Sequence, residues 1–143
     1  MADSSDVVRE AFRTELATIL TAASISWPIK EVNNAHAEAD GATSFVAIEF
    51  AAGSEEQFAR GGAGSNMWDE RGQVMVRLFM PLNAGKSPGE GYASSIRSAF
   101  RNRRFNRTDG RQIRTNAGPT DSYVDGVRWV LTVPVAYQTF NIA

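Results

Sequence analysis

Across residues 5–23 the apolar positions Val8, Phe12, Leu16, Ile19, Leu20 and Ala23 recur at three- and four-residue spacing, with Arg9, Arg13 and Glu15 elsewhere on the wheel. This pattern predicts an amphipathic helix. Asp3, Ser4 and Ser5 are its candidate caps, and Asp6 and Glu10 sit where the helix dipole favours negative charge. Pro28 then restricts Trp27 to extended geometry, so 25–29 reads as a short strand or extended segment. Residues 33–43 are polar and small, with Asn33-Asn34 and Asp40-Gly41 as turn chemistry. From 44 to 50 the chain alternates, Val46, Ile48 and Phe50 on one face and Phe45, Ala47 and Glu49 on the other, which predicts a strand buried mostly on one side.

Ala52-Gly53-Ser54 turns the chain, 56–60 reads as the short second strand of a hairpin, and the glycine-rich 61–66 reads as a mobile loop. The clearest strand pattern spans 73–80, with Val74, Val76, Leu78 and Met80 on one face and Pro81 closing it. A loop at 85–91 precedes a second helical pattern, Tyr92, Ala93, Ile96, Ala99 and Phe100, running to about Arg103. A short strand is expected at 111–115 after Asp109-Gly110. A last one is expected over 127–140, where Trp129, Leu131, Val133, Val135 and Tyr137 alternate. Pro134 has no N–H for a ladder, which places that strand at a sheet edge or gives it a bulge. The short connections favour antiparallel pairing. The prediction is a single α+β domain over 1–143: a mainly antiparallel sheet of four to five strands, with two amphipathic helices packed on one face.

Composition narrows the chemistry. Hydrophobic residues make up 43% of the 143 and charged ones 22%, which excludes disordered, collagen-like and coiled-coil classes. With no cysteine, thiolate catalysis, disulfide scaffolds, iron–sulfur clusters and Cys-dependent zinc sites are out. No apolar run approaches the roughly 20 residues of a membrane span, and Asp3 and Asp6 stand where a signal peptide carries basic residues. An intracellular, non-membrane protein is expected. Charge is uneven: residues 1–70 hold 4 basic and 12 acidic side chains, whereas 71–143 hold 11 basic and 4 acidic, so the molecule reads as dipolar.

Five candidate features carry chemistry. Gly85-Lys86-Ser87 lies between a strand and a helix, the context of a phosphate-binding loop, but the glycine that such a loop needs five residues earlier is Met80. A turn with a solvated lysine is the favoured reading, and a small phosphate- or nucleotide-binding enzyme using Lys86 is the alternative. His36 is the only histidine and has neither metal-ligand nor triad spacing around it, so it reads as a surface residue. Glu55, Glu56, Asp69 and Glu70 read as adjacent acidic pairs in loops, a solvated face. The strongest feature is Arg97, Arg101, Arg103, Arg104, Arg107, Arg111 and Arg114, seven guanidiniums suited to bidentate pairing with carboxylate or phosphate. Three readings compete for them: nucleic acid, a solvated face, and an interface. The interface is favoured, because a basic patch meeting the acidic half of another copy head to tail closes into a ring. Finally, Gly64, Ser65, Asn66 and Trp68 form a candidate contact loop, with Trp68 folding back onto the core as the equal alternative.

The order of these features resembles a known family. An N-terminal helix precedes Trp27-Pro28-Ile29 and Asn33, and a strand–turn–strand leads into Gly64-Ser65-Asn66-Met67-Trp68-Asp69-Glu70-Arg71-Gly72. A strand then ends at Met80-Pro81 with Gly85 beyond, an amphipathic helix ends near Phe100, and a closing strand carries Trp129 and Val133-Pro134. This order is similar to that of the tail terminator, or tail completion, proteins of long-tailed bacteriophages and related particles. The resemblance implies a structural virion protein without enzymatic activity or cofactor, assembled in the host cytoplasm. It implies a hexameric ring on the head-proximal end of the tail tube, with the tail tube protein and a head-completion or connector protein as partners and no specific nucleic acid. Another head–tail connector or stopper component is the alternative within virion architecture.

Overall fold

The computed structural model of the chain describes residues 4–31, 44–51, 53–59, 67–82, 87–126 and 128–142. Helix α1 (Ser4–Ala22) leads into β1 (Ile29–Glu31), β2 (Phe45–Phe50), β3 (Ser54–Ala59) and β4 (Met67–Pro81). Helix α2 (Ser87–Phe100) follows, then β5 (Arg103–Asn106), β6 (Gln112–Ala117), β7 (Asp121–Asp125) and β8 (Arg128–Ile142). All eight strands join one sheet of order β1-β2-β4-β8-β6-β5, with β3 also on β4 and β7 also on β8.

The α+β class stands, and the strand number is corrected from four or five to eight among the described residues. The sheet is also mixed: β1 runs parallel to β2, while the other pairings are antiparallel. The missed strands β5 (RRFN) and β7 (DSYVD) carry almost no apolar alternation, so nothing in their own residues announces them. They form because β6 and β8 offer them a ladder. Likewise β3 pairs with β4 and not with β2, so the expected 44–60 hairpin is absent.

The centre of the sheet is the β4–β8 ladder, in unbroken register from Met67 opposite Ile142 to Pro81 opposite Arg128. Pro134 therefore lies in a central strand with no bulge against β4, contrary to expectation. Its carbonyl accepts the Gly118 N–H at 2.9 Å. A residue's N–H and C=O face the same side of a strand, so the missing donor points away from β4. It points at the place where β8 exchanges β7, which reaches Thr132, for β6, which begins opposite Val135.

Both described helices cover one face. Phe12, Leu16 and Leu20 of α1 and Ala93, Ile96 and Phe100 of α2 join Val46, Ile48, Val74, Val76, Leu78, Leu131, Val133 and Val135 in one buried cluster, matching the faces that the alternation assigns. Phe12 is its hub, with ring centroids 5.2 Å from Phe105, 5.4 Å from Tyr137, 6.1 Å from Phe100 and 6.2 Å from Phe50. Burying a side chain of this size contributes about 1.5–3 kcal/mol. The opposite face holds a smaller buried cluster, Phe45, Ala47, Phe79 and Val130, with the Phe45 and Phe79 rings stacked at 4.7 Å. Strand β2 is thus buried on both faces, not mostly on one.

Local chemistry sets the ends. Helix α1 closes in a Schellman turn: Ile25 N–H donates to Leu20 C=O (2.9 Å) and Ser24 N–H to Thr21 C=O (3.1 Å), with Ser24 at φ 58° where glycine is usual. Helix α2 starts five residues before its apolar pattern and ends before Arg103, so most of the expected 85–91 loop is its first turns. Proline is tolerated there, and Gly89 lets the helix approach, since a Cβ would fall 2.2 Å from Met80 Cε. The far end is capped from the sheet, Thr115 Oγ1 donating to Phe100 C=O at 2.9 Å.

Candidate functional site

Towards the Ile142 end of β8 the helix-covered face changes from apolar to polar, because Tyr137, Thr139 and Asn141 continue the inward alternation of Leu131, Val133 and Val135. The Tyr137 hydroxyl donates to Glu70 Oε2 (2.8 Å), and Asn141 Nδ2 donates to Glu70 Oε1 (2.8 Å) and to Glu55 Oε1 (3.3 Å). Arg107 closes the network. Its Nη1 donates to Asn141 Oδ1 (2.6 Å) and Thr139 Oγ1 (3.3 Å), and its Nη2 to Asp109 Oδ2 (2.7 Å). Glu70, Arg107, Thr139 and Asn141 are all buried, so these bonds satisfy groups that would otherwise be costly to remove from water. Burial pushes the Tyr137 hydroxyl up, and donation to the Glu70 charge adds to it, against a smaller opposing pull from Arg9. For Asp109, burial raises the carboxyl, but the Arg111 N–H and the Arg107 and Arg111 guanidiniums together outweigh it and hold it below the usual range. Close packing fixes the same corner: at Gly72, opposite Tyr137, a Cβ would lie 2.6 Å from the phenol ring.

The seven arginines separate by role. Arg107 is internal, as described. Arg103 reaches back from β5 to an ion pair with Glu15 of α1. Arg111 lies 3.9 Å from Asp109, and Arg97 is half-buried on α2. Arg101, Arg104 and Arg114 are exposed and form no ion pair among the described residues. Arg104 and Arg114 stand directly opposite each other on β5 and β6 and, with Asn102, Arg103 and Thr115, line a shallow polar hollow of about 140 Å³.

The acidic residues are not in loops. Glu55 faces Glu70 and Glu56 faces Asp69 across the β3–β4 ladder. Among the described residues, no group of three or more His, Asp or Glu side chains is arranged to hold a metal ion. Trp68 is a half-buried residue of β4, opposite Gln57 and Asn141. Gly64, Ser65 and Asn66 lie outside the described residues, as do His36 and Lys86. No described helix is long and apolar enough to cross a membrane. One surface feature escaped sequence reading: Met67, Phe140 and Ile142 floor a groove of about 380 Å³, bordered by Arg111, Gln112, Arg114 and Gln138. Its only sequence signal is that the alternation of Gln138 and Phe140 continues to Ile142, two residues past the end expected for the last strand.

No family model matches the chain, and no curated protein matches it. A solved structure, whose name carries no function, aligns with 96% of this chain and 96% of its own at a TM-score of 0.62 and 20% identity. At that identity the likeness extends to the fold.

Proposed function

We propose that this chain is a structural subunit of a long-tailed bacteriophage or phage-like particle, a tail-terminator-like protein. It forms a ring on the head-proximal end of the tail tube, stops tube polymerisation and presents the surface to which the head-completion protein joins. The observation that carries this reading is the segregation of exposed charge: Arg101, Arg104 and Arg114 surround one side of the sheet, and Glu55 and Glu56 are exposed on the other. Unlike patches on one molecule support a heterologous contact, and a heterologous contact that closes gives a ring. The order of motifs along the chain supports the virion setting.

Capping then acts by mismatch. One ring face matches the growing end of the tube, and the other lacks what the next tube ring requires. The test is to add the purified protein to assembling tail tubes and measure their lengths by electron microscopy. A shorter and narrower distribution is expected, and an unchanged one overturns the reading.

A further inference from the structure

At the level of Gln138 and Thr139 of β8, the sheet runs β3-β4-β8-β6-β5, so among the described residues β3 and β5 are its two edges there. Each edge is flanked by a like-charge pair on the face away from the helices. At one, Glu56 faces Asp69; at the other, Arg104 faces Arg114. Like charges directly opposite in a ladder are unfavourable. Asp69 is relieved by Arg71 Nε (3.1 Å) and Gln138 Nε2 (3.0 Å), whereas Glu56, Arg104 and Arg114 are exposed without an ion pair among the described residues. Four antiparallel steps separate β3 from β5, so the two edges run in the same direction about 19 Å apart.

We propose that β3 of one copy adds to β5 of the next, continuing the sheet from subunit to subunit, with Glu56 set against Arg104 and Arg114. This deepens the ring reading and rests on it, naming the contact by which the copies join. A second copy is the occupant because each edge is the charge complement of the other and not of itself. That excludes a two-fold pairing of like edges and selects a head-to-tail one. Backbone bonds along the added strand hold the copies together, and the charges set register and exclude β3 from β3. The edges are therefore mismatched within a subunit and matched between subunits.

The test uses two single substitutions that improve the monomer's own ladder. Glu56→Arg faces Asp69, and Arg104→Glu faces Arg114, so each variant keeps or raises its melting temperature, which separates lost assembly from lost folding. Sedimentation should show assembly for the natural sequence and at least a tenfold loss of association for each variant alone. An equimolar mixture should assemble again with both variants in equal amounts, because the basic β3 of one then meets the acidic β5 of the other. Variants that assemble alone as well as the natural chain, a mixture that stays monomeric, or a natural chain that is monomeric throughout overturns the edge-to-edge contact. Tube lengths are measured with the same proteins. Rings that rejoin on mixing but leave tubes uncapped reject the terminator reading alone, whereas capping that survives both substitutions rejects the edge contact alone.

Discussion

The Tyr137 hydroxyl is bound to Glu70 at 2.8 Å in a corner where Asn141 donates to the other Glu70 oxygen. Tyr137→Phe leaves one Glu70 oxygen without its donor and should cost about 1–2 kcal/mol in denaturant unfolding. Its pH signature follows from the raised hydroxyl. The unfolded chain ionises at the ordinary tyrosine value of 10.0, before the folded one, so the native protein loses stability as pH rises above that value. Tyr137→Phe should flatten that alkaline loss. Asp109 behaves in the opposite sense. Its carboxyl is held below 3.8 in the folded state, so its contribution is full above that value and fades as acid titrates the folded group. Asp109→Asn should reduce the acid sensitivity of the melting temperature in that window, by a small amount because the side chain is 40% exposed and screened by solvent.

Among the elements, the end of α1 holds a correctable strain. Ser24 occupies the left-handed region at φ 58° only because Ile25 must turn back into the core. Ser24→Gly should stabilise the protein by about 0.5–1 kcal/mol, read as a higher melting temperature. The helices and the inward faces of β2, β4 and β8 were legible in the sequence because their apolar periods were long enough to stand out. Phe12, Val74 and Leu131 each fall on the face that alternation gave them. Strands β5 and β7 were not legible, because strands whose side chains are mostly exposed take their conformation from the ladder beside them. Pro134 misled because the rule that bars proline from inner strands assumes a neighbour that demands its N–H, and here the neighbour changes at that residue. In the candidate site, the arginine run was visible, but its partition was not. What sets Arg107 apart from Arg104 is Asn141, 34 residues further on, and no local pattern carries that.

For the whole molecule, three of the seven clustered arginines, Arg101, Arg104 and Arg114, are exposed, and the proposed ring contact rests on these. Reversing Arg101 and Arg104 together to Glu should leave the fold intact while weakening ring formation, seen as a lower sedimenting mass at equal concentration. The natural assembly should itself weaken as salt is raised. Unchanged assembly in the reversed protein would return the cluster to a solvated face. The long ladder between β4 and β8 has a different consequence, one of timing. Its partners are separated by the whole of α2 and three strands, so the middle of the sheet cannot close until residues 128–142 have left the ribosome. During synthesis the apolar face of β4 waits, covered at most by helix and by β2, and the native core arrives late and all at once. On the ring proposed above, subunits would therefore meet as finished folds.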